Sequence, residues 1–312
     1  EAVAVAAEAC AEDTKGQTCY ICTQALHWKT KEGLVRGCAC RGTAGFAHVS
    51  CLAEQAKVLV EEAEENNLGE NALTKRWYRW SECSLCEQRY HGLVKCALGW
   101  ACWKTYVGRP DGDLDRIDAM KLLGNGLDDA GHNQDALSVR ETELSMARRI
   151  GAEEEDLLAT QSNLAITYGE LGHHEKALSM EQDVYSGSLK SLGEEDPLTL
   201  QAANNYASSL GKLKRFEEAK SLMRKTMPVA RRVLGGKDGL TLKMRWTYAR
   251  ALYMDDGATL DDLREAVRIL EETARISERV MGGAHPTTAD IGSSLGDARA
   301  ALAAREAPPT SK

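Results

Sequence analysis

Asn163-Leu164-Ala165-Ile166-Thr167-Tyr168-Gly169-Glu170-Leu171-Gly172 returns 42 residues later as Asn205-Tyr206-Ala207-Ser208-Ser209-Leu210-Gly211-Lys212-Leu213-Lys214. Ala177 recurs as Ala219 and Leu192-Gly193 as Leu234-Gly235 at the same shift. A fixed period with apolar residues three and four apart is the signature of stacked helix pairs. The frame extends outward through Leu123, Leu127, Gly131 and Ala136 on one side and Tyr248 and Leu252 on the other. Ala266 then lags by five residues, which places an insertion around Asp255–Thr259 in a turn, where extra chain costs little. Each unit therefore reads as helix, short turn, helix and loop, with Ala where helices approach and with Gly193 and Gly235 as helix stops. The fold class is mainly α, a solenoid of helix hairpins.

Composition agrees. Of 312 residues 43% are hydrophobic but only 5% aromatic, enough apolar surface for a core built on small side chains. A net charge of -8 argues against nucleic-acid partners, which need cations against phosphate. No apolar run approaches the 18 residues of a membrane span, and the richest, Cys96–Trp103, is too short. The acidic, Ala/Val-rich start lacks the basic segment of a secretory signal. Residues 1–16 are expected to be a disordered or truncated segment, and the chain a soluble cytoplasmic protein, with the nucleus also open to it.

All ten cysteines lie between residues 10 and 102. Cys19-x-x-Cys22, Cys38-x-Cys40, His48-x-x-Cys51 and Cys83-x-x-Cys86 are four chelating pairs. Two such knuckles close a tetrahedron around zinc, and a closed tetrahedron leaves no position for a reactive water. Eight ligands thus predict two structural zincs. Cys10, Cys96 and Cys102 fall outside the pattern, and the latter two read as apolar helix packing. A thiol enzyme is not indicated: His48 is a ligand, and His91 has no orienting carboxylate at an informative spacing.

The run Cys19-Tyr20-Ile21-Cys22 with Cys38-Ala39-Cys40-Arg41-Gly42-Thr43-Ala44-Gly45-Phe46-Ala47-His48-Val49-Ser50-Cys51-Leu52 resembles the RING-CH (RING-variant) finger of ubiquitin ligases. The single residue between Cys38 and Cys40, the seven before His48, and Trp80 standing three before Cys83 separate it from the histone-reading PHD finger. The resemblance implies a cross-brace, with Cys19, Cys22, His48 and Cys51 on one zinc and Cys38, Cys40, Cys83 and Cys86 on the other. It implies a platform for a ubiquitin-conjugating enzyme, with Ile21 and Leu85 as docking residues, and transfer by positioning without a covalent intermediate. Glu87, where many such ligases carry a base, Ser84 in place of a common Pro, and Gln55 in place of a common Trp depart from the pattern. The 31 residues between Cys51 and Cys83 predict a helix over 52–65 stopped at Asn66–Gly69. Lys75–Trp80 could stack nucleic acid, but in an acidic chain is expected to pack under the second knuckle.

The 42-residue period, with Leu192–Thr199 and a looser Met281–Thr288 as connectors, resembles the kinesin light chain subtype of tetratricopeptide repeat; the common period is 34. That resemblance implies a peptide groove in which Asn163, Asn205 and, less closely, Asn125 contact the bound backbone. Val94–Val107, with Trp100, Trp103 and Tyr106, reads as a helix capping the solenoid. The expected boundaries are a finger at 17–91, a capping or linker helix at 92–114, a solenoid of about four hairpins and a closing helix at 115–305, and a disordered tail at 306–312. The function expected is a RING-type ubiquitin-protein ligase that recruits a protein or peptide substrate through the groove. The alternatives are a non-catalytic zinc-finger adaptor, which Glu87 and Gln55 favour, and a histone-tail reader.

Overall fold

The computed structural model describes residues 1–283 and 285–306; Ala284 of the Met281–Pro286 loop and all of the expected tail except Glu306 lie outside the described residues. Thirteen α-helices are described, and the extended pairs Val35–Ala47 and Glu82–Arg89 are isolated bridges. The chain divides into two compact units, Glu1–Ala152 and Glu153–Lys312. The first hairpin therefore belongs with the finger, whereas the repeat frame had put the break near residue 115.

In the first unit, α1 (Ala2–Ala9) precedes the finger loops. It occupies the segment expected to be disordered. Its Ala6 is fully buried in a cluster with Leu34, Phe46, Val94 and Leu98, and Arg36 pairs with Asp13 at 2.7 Å behind it. A helix of Ala and Val carries no amphipathic signal in sequence, and the finger supplies the surface that holds it.

Helix α2 (Val49–Glu65) runs straight on from His48, and Asn67 in the left-handed region ends the turn after it. α3 (Glu70–Trp77) and a 3-10 turn at Tyr78–Trp80 lead back to the finger. Trp80 is buried among Ala56, Cys102, Tyr106 and Ala119, so it packs between helices and not under the second knuckle. Arg109 clamps the far end of α2, donating to both oxygens of Glu64 at 3.2 Å and to Asp115 at 2.5 Å. The insertion is framework.

Helices α4 (Gly92–Tyr106) and α5 (Leu114–Asp129) meet at small residues. A Cβ on Gly126 would lie 2.7 Å from Cys96 Cα and one on Gly99 2.8 Å from the Leu122 carbonyl, so the backbones approach as closely as glycine permits. Cys96 and Cys102 are buried on α4 as apolar packing. α6 (Asn133–Ile150) closes the hairpin, its buried Arg140 donating to Glu143, Asp128 and Asn125 Oδ1.

The second unit contains α7 (Glu154–Glu170), α8 (His174–Ser191), α9 (Pro197–Lys212), α10 (Phe216–Val233), α11 (Gly239–Tyr253), α12 (Leu260–Val280) and α13 (Pro286–Glu306). α7 to α12 are three hairpins of the expected repeat, and α13 closes on α12 and α11. Ala136 of the first hairpin and Ala177, Ala219 and Ala266 here are all buried at the helix approaches. Gly193 and Gly235 follow the last residues of α8 and α10 with φ of +87° and +92°, the stops that the sequence predicts. The five-residue lag is the turn before α12, where Asp255 accepts from Gly257 N and Lys220 Nζ. There Thr259 and Asp262 form a reciprocal capping box.

Candidate functional site

Two interleaved clusters organise the finger. The donor atoms of Cys19, Cys22, His48 and Cys51 lie within 4.8 Å of one another, as do those of Cys38, Cys40, Cys83 and Cys86. Cys22 Sγ and Cys51 Sγ stand 3.4 and 3.6 Å from His48 Nδ1, and Cys40 Sγ stands 3.7 Å from Cys83 Sγ. A zinc tetrahedron with bonds of about 2.3 Å to sulfur and 2.0–2.1 Å to nitrogen has S–S edges of about 3.8 Å and S–N edges of about 3.6 Å. The residues fit that ion in both donor type and spacing.

Local geometry prepares the donors. Ile21 N and Cys22 N donate to Cys19 Sγ at 3.4 and 3.5 Å, and Leu85 N donates to Cys83 Sγ at 3.4 Å. Such bonds favour a thiolate. Burial pushes the Cys19 thiol up, but backbone contacts from Cys22, His48 and Ile21 outweigh it and the net shift is downward. A hydrogen bond from Cys38 draws Cys83 down to about 4, and the same bond pushes Cys38 up. Burial raises Cys40 to about 12. Four crowded sulfurs cannot all ionise without a cation among them, and that is what the cluster is shaped to hold.

His48 is lowered by burial, keeping the imidazole neutral. With Nδ1 turned to the sulfurs, its Nε2 lies 3.4 Å from the Ala25 carbonyl, the outer partner that fixes a ligand histidine's tautomer. His27, which the sequence reading passed over, is buried 5.3 Å from the His48 ring and is held by Thr30. Gly45 was also missed. At φ +83° a Cβ there would sit 2.5 Å from Cys40 Cβ and 2.9 Å from its Sγ, so only glycine admits the second cluster. The signal for Gly45 was a Gly between ligand pairs, but Gly42 offers the same signal and nothing within 4 Å.

Of the expected docking residues, Leu85 is 51% exposed and Ile21 half-buried, each on the knuckle of a different cluster. The expected groove residues separate. Asn163 and Asn205 line one groove of about 150 Å³ with Leu158, Ser162, Ile166 and Leu198. Asn205 is tied within the stack, donating to Ser162 Oγ at 3.0 Å and accepting from Gln201 at 2.9 Å. Asn125 lies in the other unit, where its side-chain Oδ1 accepts from Arg140. Beneath the groove Ser162 donates to Glu181, a carboxylate only 1% exposed that burial raises to about 8.

Residues 19–67 match the RING-variant domain family model, ending before Cys83 and Cys86. Residues 157–198, 199–238 and 258–287 match the tetratricopeptide repeat model. No curated protein matches the chain. Among solved structures, the repeats of a kinesin light chain protein of Podosopora anserina align at 20% identity over 74% of this chain and 97% of that one, with a TM-score of 0.44. BtubC from P. vanneervenii aligns at 15% identity over 85% and 95%, with a TM-score of 0.45. A Rap protein crystallised with competence and sporulation factor aligns at 16% over 83% and 70%, with a TM-score of 0.47. The chain carries a RING-variant finger and tetratricopeptide repeats, and no described helix is long and apolar enough to cross a membrane.

Proposed function

We propose that the protein is a RING-type ubiquitin-protein ligase of the cytoplasm that docks a ubiquitin-conjugating enzyme on its finger and takes a protein or peptide substrate through its repeats. The observation that carries this reading is the pair of interleaved clusters, whose two knuckles present Ile21 and Leu85. One zinc would be held by Cys19, Cys22, His48 and Cys51 and a second by Cys38, Cys40, Cys83 and Cys86. With four protein donors each, these ions supply shape and no reacting group.

The chemistry is then one of placement. The thioester between ubiquitin and the conjugating enzyme's cysteine breaks as a substrate amine attacks its carbonyl, and an isopeptide bond forms. Ile21 and Leu85 hold the donor, and the groove beside Asn163 and Asn205 holds the acceptor. Orientation of bound reactants supplies the rate.

Ile21→Ala is expected to keep zinc and to slow discharge of ubiquitin from a charged conjugating enzyme by about tenfold, the usual effect of truncating an apolar anchor. Unchanged discharge would remove Ile21 from the platform. A second reading, a non-catalytic adaptor, is favoured by Glu87, which is exposed after the last ligand and bonded through its N–H to the Cys83 carbonyl at 2.9 Å. No discharge by any conjugating enzyme, with both clusters filled, would make it the better one.

A further inference from the structure

The residue before Ile21 is Tyr20, and the residue before Leu85 is Ser84. Their hydroxyls share a hydrogen bond at 3.0 Å across 64 positions of chain. It joins the base of one knuckle to the base of the other.

Each knuckle is rigid by itself. In the first, Cys19 N bonds the Gln24 carbonyl at 3.0 Å and Thr23 N the Cys19 carbonyl at 2.8 Å. In the second, Cys83 N bonds the Gln88 carbonyl at 3.0 Å and Glu87 N the Cys83 carbonyl at 2.9 Å. But the knuckles belong to different clusters, so neither set of ligands fixes the distance between Ile21 and Leu85. Tyr20 is suited to fix it. Its backbone N–H is held by the Phe46 carbonyl at 2.9 Å, its half-buried ring packs against the finger core, and its hydroxyl reaches Ser84. A proline at position 84 could not make this bond, because it has no hydroxyl.

We infer that Tyr20 and Ser84 are a positioning pair that sets the spacing of the docking surface, so that a conjugating enzyme meets Ile21 and Leu85 already in register. The inference rests on the ligase reading above. Preorganisation of this kind acts on affinity, since the partner does not have to order the surface as it binds.

The test uses the full chain loaded with zinc, its metal content measured in every variant, and ubiquitin discharge titrated against the charged conjugating enzyme. Tyr20→Phe and Ser84→Ala should each raise the half-saturating concentration by about three- to tenfold, the worth of one hydrogen bond. The plateau rate should not change. The double variant should be no worse than either single one, because both remove the same bond. Ser84→Thr, which keeps a hydroxyl, should return the native value. Native half-saturation in either single variant, additive losses in the double, Ser84→Thr behaving as Ser84→Ala, or a loss of zinc that accounts for the defect would each overturn the pair. If the native chain discharges and the variants match it, only this inference falls. If the native chain discharges nothing, the ligase reading falls and takes the pair with it.

Discussion

At Gly45 the finger tolerates no side chain. The two constraints there are separate: a left-handed backbone, and a cluster sulfur 2.9 Å from where a Cβ would be. Gly45→Ala should therefore hold less zinc than the native chain by elemental analysis, while Gly42→Ala, equally left-handed but open to solvent, should hold as much. Retention of full zinc in Gly45→Ala would show that the loop yields. Glu181 offers a second test at this scale. Its ordinary value is 4.5 and burial raises it to about 8 in the folded chain. Between those values the unfolded chain has given up the proton and the folded chain still holds it, so the contribution of Glu181 to stability is fully present below pH 4.5 and is lost as pH rises towards 8. One unit is worth about 1.4 kcal/mol, which makes the effect several kcal/mol at most. The melting temperature of the native chain should therefore drop relative to that of Glu181→Gln as pH rises from 5 to 8; a difference that does not change with pH would show that Glu181 does not titrate in this range.

Between residue and molecule, the repeat turns show which positions the period controls. Gly131, Gly172 and Lys214 end the first helices of successive hairpins, all with positive φ. In each, the next residue's N–H reaches back to the same place, His132 to Leu127, His173 to Tyr168 and Arg215 to Leu210, all at 2.9 Å. That is a Schellman stop. Lys214 makes it with a Cβ in the left-handed region, at φ +58°. Lys214→Gly should stabilise the second unit by about 0.5–1 kcal/mol, the strain relieved less glycine's entropy, and a lower melting temperature would contradict this. Conversely, Thr259→Ala should cost about 1 kcal/mol, because it removes the hydroxyl that accepts from the Asp262 N–H at the start of α12, while the backbone N–H at 259 keeps its bond to the Asp262 carboxylate. Glycine marks the turns at Gly131 and Gly172 in the sequence and the five-residue lag marks the one before α12, whereas Lys214 makes the same turn without the glycine that would announce it.

For the whole chain, the division at Ala152–Glu153 has a measurable consequence. α4 is buried on one face by the finger, through Val94 and Leu98, and on another by α5, through Cys96 and Leu123. Chelating the zinc should therefore strip amide protection from the finger and carry it away from α4, α5 and α6 as well, while α7 to α12 keep theirs in hydrogen exchange. Protection surviving in α5 and α6 would restore the boundary near residue 115 that the repeat frame had drawn.

The sequence alone determined the four chelating pairs, the helical period, the buried alanines and the helix stops, because each is a matter of residue type at short or fixed spacing; which pairs share a cluster came only from the resemblance to the RING-variant finger. Tertiary structure alone decided where the units divide, that α1 has a surface to lie on, and that Trp80 belongs between helices and not beneath a knuckle. It also bound Asn205 to Ser162 and Asn125 to Arg140, and brought Tyr20 to Ser84. These are contacts between residues far apart in the chain, or choices among several equally apolar partners. Nothing in a residue's own neighbourhood fixes them; they follow from which surfaces remain once the helices have packed.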